Sequence, residues 1–235
     1  MFDARKFLDD LLGSDVPGTG KSVRQTAGDA VQLARDNPIA TGAIAAVLLG
    51  TGAGRRVTGT ALKAGGLAAI AGLAYKAYQN YQSGRQPGAA DGSVPADPLA
   101  LPAPADTPFD PKLAPQGEAE FALVLVRAMV AAARADGRID EAERAHISDR
   151  LRLAGYDGET RDFLLAELEK PVDVGALVAA AHTDAQKVEL YTSSRLAIDP
   201  DTARERDYLD ALAGRLRLPG PLIQHIEQTV AEVKA

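Results

Sequence analysis

Cysteine is absent from the 235 residues. That excludes disulfides, thiolate metal centres and cysteine nucleophiles, and says little about the compartment. Acidic residues are missing from positions 37–82, where Arg55, Arg56, Lys63 and Lys76 carry the only charges. Such a stretch suits an anionic membrane surface, but four charges are too few for strong nucleic-acid binding, and no nucleic-acid partner is expected. A secretory signal pattern is missing as well. MFDARKFLDDLLGS carries acids throughout and has no long apolar run, so the amino terminus is expected to stay on the cytoplasmic side. Zinc-protease H-E-x-x-H, the G-x-S-x-G elbow and the phosphate loop are absent too. GTGK at 18–21 lacks the required frame, since Asp15 stands where the loop needs its first glycine. His146, His182 and His225 fall on three separate expected helices, and Ser193-Ser194 has no evident base. No enzymatic reaction is expected, metal-assisted hydrolysis by clustered acids being the one route left open.

What is present is helical and unevenly charged. Residues 1–82 carry a net +3, residues 83–117 a net −2 and residues 118–235 a net −7. Two short amphipathic helices are expected in 1–36, the first with Phe7, Leu8, Leu11 and Leu12 on one side, the second near 22–36. Residues 37–82 hold two Ala/Gly-rich stretches, 37–56 and 61–78, with small residues every fourth position: Gly42, Ala46, Gly50 and Gly54, then Ala64, Ala68 and Gly72. Such stripes let helix backbones approach closely, as in membrane helix pairs. The uncharged runs, 39–54 and 64–75, fall short of the roughly 20 residues of a perpendicular crossing. Three readings stay open: a membrane-embedded or re-entrant hairpin, a single short span over 37–54, and a self-packed or oligomerising hairpin. Tyr75, Tyr78 and Tyr81 suit either lipid headgroups or packing on the rest of the protein. Residues 83–117 hold eight of the fourteen prolines and no apolar period, which predicts a disordered tether. Residues 118–235 show 3.6-residue periodicity throughout. Helices are expected over 118–135, 141–154, 159–169, 173–181, 184–197, 200–217 and 221–233, enough for one all-α core.

Two acidic turns in this region resemble one another. Asp136, Asp140 and Glu143 lie in the first, Asp199, Asp201 and Glu205 in the second, each with a Glu-Arg pair about two turns on. Helix capping explains part of this. Asp140 with Glu143 fits a capping box, and Asp199 before Pro200 fits an N-cap with proline at the first helical position. Asp136 and Glu205 are left over. A hard cation would need several such oxygens, and at a helix amino terminus would face the unfavourable end of the dipole. The spacing is not that of an EF-hand loop.

ADGRIDEAERAHI and YTSSRLAIDPDTARERDYLDALAGRLRLP resemble the tellurite-resistance TerB-like helical domain. Together with MFDARKFLDDLLGS and GGLAAIAGLAYKAYQNYQ, they resemble in particular the YebE-type bacterial proteins, a group without a defined function. The resemblance implies a TerB-like bundle of about seven short helices over 118–235. It also implies divalent-metal binding at Asp136, Asp140, Glu143, Asp199, Asp201 and Glu205, with calcium or magnesium rather than zinc, and an inner-membrane location with the C-terminal domain in the cytoplasm. The expected function is a non-catalytic, membrane-associated protein that binds divalent cations or protein partners in an envelope- or metal-stress setting. The rival is a metal-independent interaction module whose acidic turns are only helix caps. Membrane lipid, protein partners and self-association through the small-residue hairpin are the expected contacts.

Overall fold

The computed structural model describes residues 2–12, 66–86, 104–135, 137, 141–153 and 156–234. Among these the protein is all-helical. The α-helices are α1 (Ala4–Leu12), α2 (Gly66–Gln82), α3 (Glu118–Ala133), α4 (Glu141–Leu153), α5 (Gly158–Glu169), α6 (Val174–Ala179), α7 (Asp184–Ala197), α8 (Ala203–Leu216) and α9 (Gly220–Lys234). A short 3-10 helix, Pro111–Leu113, precedes α3. The expected helix over 22–36 and the run 37–56 lie outside the described residues.

Four consecutive helices each begin on their own side-chain cap. Asp157 accepts from the Thr160 amide at 2.7 Å, Asp173 from Ala176 at 2.9 Å, and Thr183 from Gln186 at 3.1 Å. Thr202 does the same for α8. Each satisfies an amide that the first turn would leave bare. The Asp157 carboxyl is accordingly held below its ordinary pKa by the Thr160 amide and hydroxyl.

The bundle is organised around α7, which α2, α3, α8 and α9 all touch. Eleven of its residues are buried, so it has no solvent face. Two of its buried hydroxyls bond to its own backbone: Thr192 donates to Val188 O at 2.8 Å, and Ser193 to Leu190 O at 2.9 Å. On α3, Phe121, Val124, Leu125, Ala128, Met129 and Ala132 form the anticipated apolar stripe, all buried against this helix and its neighbours.

Three features of the fold bear on the front half of the chain. The second Ala/Gly-rich stretch is not a membrane limb in this structure. From Gly66 on, it is α2, packed against α1, α7 and α9. Ile70, Leu73, Ala74 and Ala77 are buried in the protein, and Leu73 and Ala69 meet Val233 and Leu196. The small side chains do permit close helix approach, but the neighbours are helices of the same bundle. Lys76 confirms the docking, with an ion pair to Glu232 at 3.1 Å. Among the described residues, no helix is long and apolar enough to cross a membrane.

Second, the front helix α1 is part of the same core. Phe2 stacks on Phe163, centroids 3.8 Å apart, and Phe7 meets Tyr156 at 5.5 Å. Leu8 is wholly buried. In this structure α1 and α2 therefore share a core with the helices of 118–235.

Third, the proline-rich connection of 83–117 is built where it is described. Over 104–117 it lies on the bundle through Phe109, only 2% exposed, whose ring meets Tyr75 at 5.5 Å and Tyr78 at 5.3 Å. Asp110 caps the 3-10 helix at Lys112, and Gln116 pairs with Gln186. One aromatic ring anchors an otherwise aperiodic stretch. The tyrosines thus pack on protein. Residues 87–103 are not among those described.

Candidate functional site

The second acidic turn, between α7 and α8, is fully placed. Thr202 is the N-cap of α8, not Asp199: the chain passes through Pro200 and Asp201 before the helix opens at Ala203. Glu205 completes a capping box. Its Oε2 accepts from the Thr202 amide and hydroxyl, both at 2.9 Å, while the Glu205 amide donates to Thr202 Oγ1 at 3.2 Å. Glu205 is buried in that role. The T-x-x-E pattern of Thr202-Ala203-Arg204-Glu205 was the readable signal.

Other oxygens of the turn, Asp199 Oδ1 and the carbonyls of Ile198, Pro200 and Asp201, face cations that the chain itself supplies. Lys234 Nζ lies 2.9 Å from Ile198 O, 2.9 Å from Asp199 Oδ1 and 3.3 Å from Arg195 O. Arg195 donates to Ile198 O at 2.7 Å and reaches Asp199 Oδ1 at 3.4 Å. Arg206 donates to the carbonyls of Pro200 and Asp201, each at 2.9 Å. Two of these cations sit at the carboxyl end of α7, where the helix dipole favours them. Burial would raise the Asp199 carboxyl, but the Lys234 hydrogen bond and charge, with Arg195, outweigh it and hold the pKa low. Burial pulls Lys234 the other way, below its ordinary value, with Asp199 opposing. Glu227 of α9 extends the network. It accepts from the Tyr191 hydroxyl at 2.9 Å and pairs with Arg195 Nε. Burial, then the Glu227 charge, drives the Tyr191 phenol far above its ordinary range.

Of the six carboxylates proposed as metal ligands, Asp199, Asp201 and Glu205 are thus located. Asp199 is ion-paired, Glu205 is a cap, and Asp201 is exposed. Asp136 and Asp140, with the side chain of Glu143, lie outside the described residues. Among the described residues, no three acidic or imidazole side chains gather as a cation would require. The second turn is assembled as a capping box beside a set of ion pairs. Glu205→Ala should cost about 1 kcal/mol of stability, and by the same amount with and without millimolar calcium in paired thermal melts. A calcium-dependent difference would restore the ligand role.

Sequence reasoning passed over Glu189. Its carboxyl sits on α7, 2% exposed, and Oε1 has no hydrogen-bond partner among the described residues. Burial raises its pKa well above the ordinary carboxyl range. Tyr208 on α8 is a second such group: burial pushes its phenol up to about 12, with Ser194 partly offsetting. The serine pair is buried and tied to backbone, Ser193 to Leu190 O and Ser194 to Ala128 O at 3.5 Å. His182 lies in the turn before α7 rather than on a helix, and His225 Nε2 is 3.1 Å from Arg85 O.

Residues 35–230 match the family described as "Protein of unknown function (DUF533)". The chain belongs to the DUF533 family. The match reaches from before α2 to the last turns of α9, so this DUF533 protein carries the family's sequence on both sides of the proline-rich connection. It is also similar to a Yersinia enterocolitica protein described as "Uncharacterized protein in ampR 5'region". The two are 34% identical over 110 residues, covering 47% of this chain and 79% of the relative. No solved structure matches.

Proposed function

We propose that this DUF533 protein is a non-catalytic, metal-independent interaction module that holds one loop of its chain against anionic lipid. The observation that carries the reading is the clasp between α1 and α2. Gly66, the first residue of α2, donates its amide to Asp9 Oδ1 of α1 at 2.7 Å. An acid from one helix thereby caps the amino terminus of the other, where negative charge is favoured. The 53 residues between, 13–65, join two helices that meet at this clasp. They carry six cationic and three acidic side chains, with none of the acids beyond Asp36, and include the uncharged run 39–54.

The closed second turn supports the metal-independent form of this reading, against the divalent-metal binding that the likeness to TerB-like proteins implies. The alternative is cation binding by the acidic turns, Asp136, Asp140 and Glu143 among their carboxylates. Calorimetry of the full chain with calcium, magnesium, manganese and zinc tests that alternative.

Each cation near a charged surface contributes about 1 kcal/mol. Flotation of the full chain with phosphatidylcholine vesicles containing phosphatidylglycerol should show binding, and Arg55→Glu with Arg56→Glu should weaken it at least tenfold. Equal binding of the double variant, or none by the parent, would end the lipid reading.

A further inference from the structure

We propose that the face of α2 bearing Tyr75 and Tyr78 is a docking seat for a proline-flanked phenylalanine turn. The chain's own residues 104–113 fill it in this structure, and the same turn of a second copy competes for it. This goes beyond the lipid reading and does not depend on it. The two tyrosines stand three residues apart on one helix, so their rings share a face. Phe109 enters that face with its ring centroid 5.5 Å from Tyr75 and 5.3 Å from Tyr78, tilted by 56° and 48°. Tilted rings at this separation set edge against face, an arrangement that aromatic quadrupoles favour. Pro108 and Pro111 bracket the ring in sequence, and Pro111 is itself buried.

The turn that delivers the ring carries its own bonds. Thr107 Oγ1 donates to Pro104 O at 2.6 Å and accepts from the Phe109 amide at 3.2 Å. Asp110 ties both flanks, accepting from the Asp106 amide at 3.2 Å and the Lys112 amide at 3.0 Å. Asp106 takes a left-handed backbone, φ 58°, which the Asp110 bond holds in place. A turn ordered by its own contacts loses little freedom when it docks. The seat, for its part, is not sealed. Tyr75 and Tyr78 are both part-exposed, and among the described residues they also line a groove of about 550 Å³ with Gln79, Gln82 and Arg85. A motif joined to its seat by a short stretch of chain competes at an effective concentration on the order of millimolar. The parent is therefore self-occupied, and a second copy's turn gains the seat where chains are crowded or Phe109 is removed.

A fluorescein-labelled peptide of residues 104–115, PADTPFDPKLAP, titrated with the full chain and followed by anisotropy, tests this. Phe109→Ala is expected to bind it saturably, and the parent at least tenfold more weakly. Adding Tyr78→Ala to Phe109→Ala, or replacing the peptide's phenylalanine by alanine, should weaken binding at least tenfold. If Phe109→Ala loses its helical circular-dichroism signal, Phe109→Leu takes its place, and the ratio to the parent is read in the same way. The same peptide with benzoylphenylalanine at the ring position, photolysed on the variant, should leave its adducts on residues 75–85. Adducts scattered over other helices, equal binding by parent and variant, or no saturation at millimolar peptide would overturn the proposal. None of these results bears on vesicle flotation, so the lipid reading is judged separately.

Discussion

Gly66→Ala destabilises the full chain by about 3 kcal/mol, the upper part of the range for an overpacked site. The added methyl group would overlap the Leu8 carbonyl, which is backbone within a helix and cannot rotate aside. Relief requires α1 to move away from α2. That movement would open the Asp9–Gly66 hydrogen bond and lift Leu8 and Phe7 from their buried seats. Urea unfolding of the parent and variant measures the loss. Hydrogen exchange should show α1 losing protection while α7 keeps it. Asp9→Ala makes the milder comparison, since it removes the cap without adding volume and should cost about 1 kcal/mol. A Gly66→Ala variant as stable as the parent would mean that α1 does not seat against α2 in solution.

Glu189→Leu is expected to stabilise the protein by about 1–3 kcal/mol at pH 8, the range for relieving an unsatisfied buried polar group. The parent holds a carboxyl inside α7's surroundings with Oε1 unbonded, and burial raises its pKa above the ordinary 4.5. A raised native pKa means that the folded state binds the proton more tightly than the unfolded chain. The stability this contributes is fully present below about pH 4.5, where both states are protonated. It is lost as pH rises through the native pKa, because the folded chain must then either bury a charge or hold a proton against the solution. Glu189→Leu should remove that component of the pH slope and gain packing. Glu189→Gln should remove the slope with little gain, since an amide still needs partners. Denaturation midpoints for the three proteins from pH 4 to pH 9 decide the matter. A parent profile parallel to that of Glu189→Gln would show that the carboxyl finds a partner or solvent.

The helices of residues 118–235 could be read from apolar spacing because each buries one recognisable face. Asp184–Ala197 was bounded correctly, and the other helices lie within a few residues of expectation. The start of α8 was misplaced because Asp199-Pro200 mimics a helix opening. The chain instead turns through Pro200 and Asp201, and Thr202 with Glu205 closes the cap. What neighbours an Ala/Gly-rich helix was illegible, since composition suits lipid and a tight protein interface equally. The partners that decide it for α2 lie on α7 and α9, more than 100 residues away. Separation in sequence also hid a cation of the second turn. Nothing near Asp199 in the chain announces Lys234, 35 residues on. Phe109 was the missed local signal, an aromatic amid proline and alanine that buries itself against two tyrosines. Glu189 was hidden by its helical spacing, which suits an exposed position until the helix proves enclosed on every side.

The seating of α2 has a consequence for how the chain is made. Lys76 meets Glu232 across 156 positions of sequence, so α2 leaves the ribosome long before the helices that cover it exist. Through most of synthesis an oily, charge-poor helix must wait without its roof, the condition in which nascent chains stick to one another or are held by chaperones. Late closure of this kind slows folding, and it ties completion of the core to the emergence of α9.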